Sequence, residues 1–531
     1  MPTMRSAGHY WASILAEELV MAGIQHICLA PGSRSTPIVK AFHNHDKLQI
    51  STHYDERSLA FFALGQAKKL ESPVVVVTTS GTAVANLMPA AAEALNMKVP
   101  LVFLTADRPD SLLHCGANQT MNQKGLLKNV VLGSLNLPTA SEQLDTAALR
   151  LAIQKALHVS NEGPVHMNMP IDEPLLAESL TIDESTQAAL TLELSLSKAG
   201  HETALQAVDA KRLIDMLSAK KVLCLLAISA RDYHSDALIQ ALKKAGIPLV
   251  AECTSRLPFE QAVSRQFDSY CDAIEKPELL LCIGAKWLTR QTQHFISQCD
   301  EVVLLHDFDE SQDFLKAATC EMTGDINTVI KALEHVEADS SYKPVLKAPL
   351  SNGNQQASIE EQVLQGISAS KHQFEQVFLG NSLPIRLFNA AFNPKQSKTS
   401  IYCNRGVSGI DGIVSSAAGL AYLSQSPSLL INGDMSSLHD SNGFYFLQKY
   451  KLPLTVLIFN NNGGGIFSKL AVKQETDIFE DYFKMPHGLK FQHLAAHYHL
   501  DYVASDDPAV IIKEIEKNKE KKEAKIIECF C

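Results

Sequence analysis

An acid and an amide, Asp434 and Asn461, stand 27 residues apart, each just past a short apolar run. The first run, Ser428 to Ile431, leads into Gly433-Asp434; the second, Leu454 to Phe459, leads into Asn460-Asn461-Asn462-Gly463-Gly464-Gly465. Apolar runs this short, bounded by turn residues, read as buried strands. The segment between them, roughly Ser441 to Tyr450, reads as a helix. In an open parallel sheet, ligands bind beyond the carboxyl ends of the strands. The Asp434 carboxylate and the Asn461 amide oxygen can therefore converge, with a glycine carbonyl from the following run beside them. An oxygen-only set of this kind suits Mg²⁺ held together with phosphate groups, and does not suit zinc. Taken singly, Gly-Asp and an Asn/Gly run are ordinary turn residues; the pairing at this spacing carries the reading.

The same grammar recurs from the start of the chain. Tyr10 to Ala22 has helical apolar spacing, and Ile24 to Ala30 is a short strand. Pro31-Gly32-Ser33-Arg34-Ser35-Thr36-Pro37 follows, a turn that opens a helix and carries one arginine, which suits an anion. Leu48 to His53 reads as a strand and Ser58 to Lys69 as a helix, so Glu56 falls at a strand-to-helix junction. Pro73 to Thr78 is a buried strand, and Ser80-Gly81-Thr82 opens an alanine-rich helix. Pro100 to Thr105 ends in Ala106-Asp107-Arg108-Pro109, followed by His114-Cys115-Gly116-Ala117-Asn118-Gln119. Gly163 to Met169 reads as the last strand of this unit. Strands alternating with helices predict a parallel α/β domain.

The elements that hold these residues divide the chain into three. Domains are expected over 1–182, 204–337 and 359–531, each a parallel sheet flanked by helices. Polar sequence from Asp183 to Thr203 and from Ala338 to Ser358 reads as linker. The middle unit has apolar strands at Val222 to Ala227, Pro248 to Ala251, Leu279 to Ile283 and Val302 to Leu305. It has no Gly-x-Gly-x-x-Gly, so no dinucleotide is assigned to it. Lys517 to Lys525 reads as a solvated helix end and Ile526 to Phe530 as a final strand.

Composition narrows the classes. The 531 residues are 46% apolar with a formal charge of −11, ordinary for a globular protein and no case for nucleic acid. Eleven scattered cysteines without a Cys-x-x-Cys pair point to a reducing compartment. Neither a signal-peptide core nor a membrane-length apolar run is present, so a cytoplasmic location is expected.

Asp434 and Asn461 at their spacing resemble the diphosphate-binding motif of thiamine-diphosphate enzymes, with Met435 where that motif usually has a second glycine. With HYDER around Glu56, APGSRSTP, TSGTAVANL, TADRP, CGANQT and NRGVSGIDG in order, the chain more narrowly resembles the 2-succinyl-5-enolpyruvyl-6-hydroxy-3-cyclohexene-1-carboxylate synthases of menaquinone biosynthesis. The first and third domains carry the likeness closely and the middle one loosely. It implies thiamine diphosphate with Mg²⁺ or Mn²⁺, 2-oxoglutarate and isochorismate as substrates, and a homodimer or dimer of dimers with shared active sites. No nucleic-acid or membrane partner is expected.

The resemblance also assigns roles. Glu56 bonds the pyrimidine N1′ of the cofactor, and Ser33, Arg34 and Gln119 join it as catalytic residues. Ser382, Ile410, Ser436, Ile466, Phe467 and Leu470 contact the cofactor, with Ile410 as the bulky residue that bends it. Asp434, Asn461 and Gly463 hold the metal. Ser33, Arg34, Arg108, Asn118, Gln119, Arg290, Arg386 and Arg405 contact substrate, as arginine forks should for two dicarboxylates. Many relatives have Lys-Arg where this chain has Thr289-Arg290, which leaves Lys286 as a candidate for the missing cation. His53, His114 and His439 are chemically capable but have no role implied. Two other readings stay open: another thiamine-diphosphate enzyme, such as a 2-oxo-acid decarboxylase or acetolactate-synthase-like protein, and a non-catalytic nucleotide-binding or scaffold protein.

Overall fold

The computed structural model describes residues 7–141, 145–175, 195–196, 206–207, 209–231, 233–257, 263–346, 357–370, 374–392 and 399–531. Of the two stretches read as linkers, 183–203 lies outside these residues except for 195–196, and 338–358 lies outside them only over 347–356. Among the described residues the chain forms three sheets and two compact units.

The first unit holds the first sheet: β1 (His26–Leu29), β2 (Gln49–Thr52), β3 (Val74–Thr78), β4 (Leu101–Asp107), β5 (Gly133–Asn136), β6 (Val165–Pro170) and β7 (Ser195–Leu196). They lie in the order β2-β1-β3-β4-β6-β5-β7. Every neighbouring pair is parallel except β5 with β7, which is antiparallel. Two strands were not expected. β5 is four residues with only one large apolar side chain, Leu135, and β7 is two residues within a polar stretch, so neither leaves an apolar run to read. The unexpected β7 makes this sheet's edge antiparallel.

Helix Glu56–Leu70 is buried continuously from Ser58 to Lys68, which few helices of a two-layer fold are. Its partner is helix Ile413–Ser424, buried from Ile413 to Ala421 and belonging to the same unit. A Cβ at Gly65 would stand 1.9 Å from the Ser416 carbonyl oxygen, and one at Gly419 would stand 1.9 Å from that of Phe62. The two helices touch backbone to backbone, which only glycine allows at those positions.

The second unit holds the other two sheets. One comprises β8 (Gln206–Ala207), β9 (Val222–Leu226), β10 (Leu249–Ala251), β11 (Leu279–Ile283), β12 (Val302–His306) and β13 (Cys320–Thr323), in the order β10-β9-β11-β12-β13-β8. Alternate residues face two separate cores: Val222, Cys224 and Leu226 one, Leu223 and Leu225 the other. Both faces are thus covered, which is why these strands read as continuous apolar runs. The other sheet comprises β14 (Gln376–Leu379), β15 (Ser400–Cys403), β16 (Ser428–Gly433), β17 (Leu454–Asn460), β18 (Asp501–Ser505) and β19 (Lys525–Phe530), in the order β15-β14-β16-β17-β19-β18 and parallel throughout. Between β16 and β17 the helix expected over Ser441 to Tyr450 is a 3₁₀ turn Ser441–Gly443 followed by helix Phe444–Tyr450, and an unexpected helix, Asp434–His439, precedes it. The break between the two falls at Asp440, whose carboxylate is drawn inward by bonds described below.

Candidate active site

In the first unit the candidate residues gather at the carboxyl edge of the sheet. Ser33 and Arg34 follow β1, Glu56 follows β2, and Arg108 follows β4. Ser80 and Gln119 are tied to each other: the Ser80 hydroxyl donates to the Gln119 carbonyl at 3.0 Å, and the Gln119 amide donates to the Ser80 carbonyl at 3.1 Å. Arg34 is buried; its Nη1 donates to the Ile171 carbonyl at 3.0 Å, and its Nη2 lies 3.2 Å from Glu173. Burial and then the nearby Arg108 guanidinium lower its pKa, so the two arginines face one region. Ser33, Asn118 and Gln119 are exposed.

Glu56 opens its helix, with Asp55 capping it by accepting from the Arg57 and Ser58 backbone N–H groups. Burial, then the charge of Asp55, raise the Glu56 pKa. Behind it lies a polar network that the sequence reading missed. Asp55 accepts from the Asn442 amide at 2.7 Å, and buried Asp440 accepts from the Ser415 backbone at 2.7 Å and the Ser415 and Ser58 hydroxyls at 2.9 and 3.3 Å. His53 belongs to this network. Its Nδ1 accepts from the Asp55 N–H, so Nε2 carries the proton and faces the Asn442 carbonyl at 3.1 Å. Burial depresses its pKa to about 4, leaving a neutral structural imidazole. His439 is held by Arg57 through its carbonyl, and His114 is exposed.

Asp440 makes a testable contribution. Burial raises its pKa to about 6, against 3.8 for an ordinary aspartate. The folded chain thus binds a proton there that the unfolded chain has lost, so stability falls as pH rises from about 4 to 6. A shift of this size is worth on the order of 3 kcal/mol. Asp440→Asn is expected to flatten that slope in urea-denaturation midpoints measured from pH 4 to 7; an unchanged slope would assign it to other groups.

The loop Gly406–Gly412 also belongs to the first unit. Buried Glu93 clamps it by accepting from the Gly406 and Val407 backbone N–H groups, both at 2.8 Å. Ile410 lies three residues beyond the clamp and is partly exposed. A glutamate inside an alanine-rich helix was the available signal for this clamp.

In the second unit, Asp434 follows β16 and opens helix Asp434–His439, while Asn461 follows β17. Buried Asp434 accepts from the Gly463 N–H at 2.8 Å and from its neighbour Met435 N–H at 2.6 Å. His487 Nε2 lies 3.2 Å from the same carboxylate, a partner foreshadowed only by the turn sequence Pro486-His487-Gly488. The three asparagines have different tasks. Asn460 bonds Glu528 and the Leu489 carbonyl, and Asn462 takes a left-handed φ of 59° and accepts from the Gly488 N–H. Asn461 alone keeps a buried side-chain oxygen that accepts no hydrogen bond. A buried amide oxygen without a partner costs stability unless a ligand completes it.

The glycines that follow are required. A Cβ at Gly463 would stand 2.1 Å from the Lys484 carbonyl, and one at Gly465 would stand 2.5 Å from the Asn461 amide. This backbone therefore packs against the Lys484 carbonyl and the Asn461 amide as no other residue allows. The Gly463 carbonyl accepts from the Gly465 N–H and retains its second lone pair. No three His, Cys, Asp or Glu side chains converge as metal ligands among the described residues, so a cation here must draw on amide and carbonyl oxygens as well as Asp434. That donor set fits Mg²⁺ or Mn²⁺ shared with a diphosphate.

Beside these residues a cleft of about 700 Å³ brings together Arg290, Arg386, Ile466 and Leu470. Arg386 Nη1 donates to the Ser382 carbonyl at 2.7 Å and its Nε to the Leu288 carbonyl at 3.1 Å. Ser382 itself has a φ of 70°, strained for a side-chain-bearing residue and typical of ligand-facing turns. Arg405 is buried and donates to the Asn381 side chain at 3.2 Å. Burial, then the charge of Arg405, lower the Arg386 pKa, and Arg290 adds to this, so the three cations share one field. Glu252 lies within that field, buried and hydrogen-bonded to the Leu288 N–H at 2.9 Å, with burial pushing its pKa up to about 8. Ser436 is buried behind Asp434, and the Phe467 ring packs edge-on to Phe483 at 5.7 Å. Lys286 does not line the cleft; its Nζ sits 5.4 Å above the Phe308 ring.

Residues 10–126 match the family described as thiamine pyrophosphate enzyme, N-terminal TPP binding domain. The chain is 32% identical to the 2-succinyl-5-enolpyruvyl-6-hydroxy-3-cyclohexene-1-carboxylate synthase of Shewanella baltica (strain OS185), over 94% of this chain and 91% of that protein. It is likewise 32% identical to the synthase of the same name from Shewanella amazonensis, over 98% of this chain and 94% of that one. Its fold is similar to that of benzoylformate decarboxylase from Polynucleobacter necessarius, with a TM-score of 0.73, 17% identity, and coverage of 99% of this chain and 98% of that one.

Proposed function

Because the chain belongs to the 2-succinyl-5-enolpyruvyl-6-hydroxy-3-cyclohexene-1-carboxylate synthase family of thiamine-diphosphate enzymes, we propose that it decarboxylates 2-oxoglutarate and adds the remaining four-carbon unit 1,4 to isochorismate. The observation that carries this reading is likeness to named synthases over nearly the whole chain. Thiamine diphosphate, when bound, supplies the electron sink that lets CO₂ leave. The chain's own residues do the rest. Glu56 holds a proton-bearing hydrogen bond to the pyrimidine ring, for which a raised pKa is suited. Asp434, Asn461 and the Gly463 carbonyl hold Mg²⁺ or Mn²⁺ against the diphosphate, and the free oxygen of Asn461 supports that assignment. Ser382, Ile410, Ser436, Ile466, Phe467 and Leu470 shape the cofactor's seat. Ser33, Arg34, Arg108, Asn118, Gln119, Arg290, Arg386 and Arg405 orient the two dicarboxylates.

The protein works as a homodimer, or a dimer of such dimers, whose sites combine the first domain of one copy with the third domain of its partner; the domain limits adopted are 1–182, 204–337 and 359–531. Exposed apolar side chains support this. Tyr54, Val407 and Ile410 lie near candidate residues in the first unit, and Tyr482, Met485 and Leu489 follow the glycine run in the second. All eleven cysteines are free thiols, in keeping with a cytoplasmic location. No helix among the described residues is long and apolar enough to cross a membrane.

The deciding experiment is CO₂ release from 2-oxoglutarate by the holoenzyme, with and without isochorismate. Release is expected to depend on the acceptor. Equal release in its absence would make the protein a decarboxylase, and none in either case would remove the activity.

A further inference from the structure

The cleft beside the diphosphate-binding turn holds one cation to which no role has been given. Lys469 closes the 3₁₀ turn Gly465–Lys469, two residues past Phe467, and lines the cleft with Arg290 and Arg386. Arg386 spends Nη1 and Nε on the Ser382 and Leu288 carbonyls, leaving Nη2. Among the described residues, the side chains of Arg290 and Lys469 make no hydrogen bond or ion pair. Asp268, Asp272 and Glu361 also line the cleft: Asp268 accepts from the Thr289 and Thr292 hydroxyls, Asp272 from the Cys271 thiol, and Glu361 is engaged in the capping box of its own helix. The position expected to carry a second cation, Thr289, also lines the cleft, but it is uncharged, and its hydroxyl caps its own helix and donates to Asp268.

Between the charged groups the walls are apolar: Leu288, Leu387, Ile466 and Leu470. A short hydrocarbon segment ending in a carboxylate fits such a lining, with its methylenes against the leucines and its oxygens on the cations. The 2-oxo diacid of the proposed reaction has this form. Its carboxylate beside the ketone leaves as CO₂, and a cation clamped on it would oppose that loss. The distal carboxylate persists from substrate to product, so it is the end a cation can hold throughout.

Resting on the proposed synthase reading, we propose that Lys469, together with Arg290 and Arg386, binds the distal carboxylate of 2-oxoglutarate and sets the preference for a diacid donor. Because Lys469 shares its turn with Ile466 and Phe467, donor binding is also tied to the order of the diphosphate-binding turn.

The test uses the thiamine diphosphate–Mg²⁺ holoenzyme, with Lys469→Met and Lys469→Arg beside the parent. Lys469→Met is expected to raise KM for 2-oxoglutarate about tenfold, the usual size for one charge-assisted hydrogen bond, and to leave KM for isochorismate unchanged. With 2-oxobutyrate, which lacks the distal carboxylate, the same variant should match the parent, and Lys469→Arg should restore most of the 2-oxoglutarate affinity. Calorimetric binding of glutarate, which has both carboxylates but no ketone, should weaken about tenfold in Lys469→Met whether or not turnover occurs. Unchanged KM and glutarate affinity in Lys469→Met would overturn the assignment. So would an equal loss with 2-oxobutyrate, or a rise confined to isochorismate. A parent that fails to turn over 2-oxoglutarate would count against the synthase reading, while the glutarate arm would still decide the role of Lys469.

Discussion

Glu56→Gln folds, retains thiamine diphosphate and loses about 10²–10⁴-fold in turnover, the usual span for removing a proton-transfer group. The amide has the shape of the carboxyl group, so the helix start should survive; the capping bonds belong to Asp55, not to Glu56. What disappears is the ability to hold a proton against a ring nitrogen. In the folded chain, burial and then Asp55 favour the protonated carboxyl, whereas a glutamine has no carboxyl proton to share. Single-turnover CO₂ release measures the loss, and circular dichroism with the thermal midpoint checks the fold. Turnover within a few-fold of the parent would remove Glu56 from the chemistry.

Asp434→Ala is expected to abolish metal-dependent cofactor binding. A ligand present at 100 times its Kd stabilises the folded state by about 2.7 kcal/mol, which shows as an upward shift of the thermal midpoint with thiamine diphosphate and Mg²⁺. That shift should vanish. The alanine also strips an acceptor from the Gly463 and Met435 N–H groups and from His487, so the unliganded protein should itself be less stable. Asp434→Asn separates the two effects, since it keeps an acceptor oxygen while losing the charge; it too should show no shift. A normal shift in Asp434→Asn would make the residue a turn element. Refolding Glu56→Gln chains together with Asp434→Ala chains then tests the shared site. Random pairing makes half the dimers mixed, each with one intact site of two, so activity should return to about a quarter of the parent. No return, with subunit exchange demonstrated, would mean that each site is built within one chain.

The residue types at the strand ends were legible in the sequence because the signals are local. Apolar runs followed by Gly-Asp, by Asn/Gly and by Gly-Ser-Arg mark where strands stop and loops begin, and the structure has strands ending just before Asp434 and Asn461 and at Leu29, shortly before Ser33. Strands too short to leave a run, Gly133–Asn136 and Cys320–Thr323, were not legible, because pairing with neighbours distant in sequence makes them strands. Long-range contact also decided the finer points. Nothing in Asn460-Asn461-Asn462 says which amide is left unpartnered; Glu528 and Gly488 decide it by engaging the other two. Nothing around Lys286 says that it lies over Phe308, or around Lys469 that it reaches the cleft. Nor does the run from Ser441 to Tyr450 reveal that Asp440, just before it, turns inward to Ser415 and Ser58. The sequence by itself determined which chemical groups stand at strand ends, since backbone periodicity and turn propensity act over a few residues. The tertiary structure alone decided which of those groups remain free for a ligand, since each polar atom is engaged or spared by partners tens to hundreds of residues away.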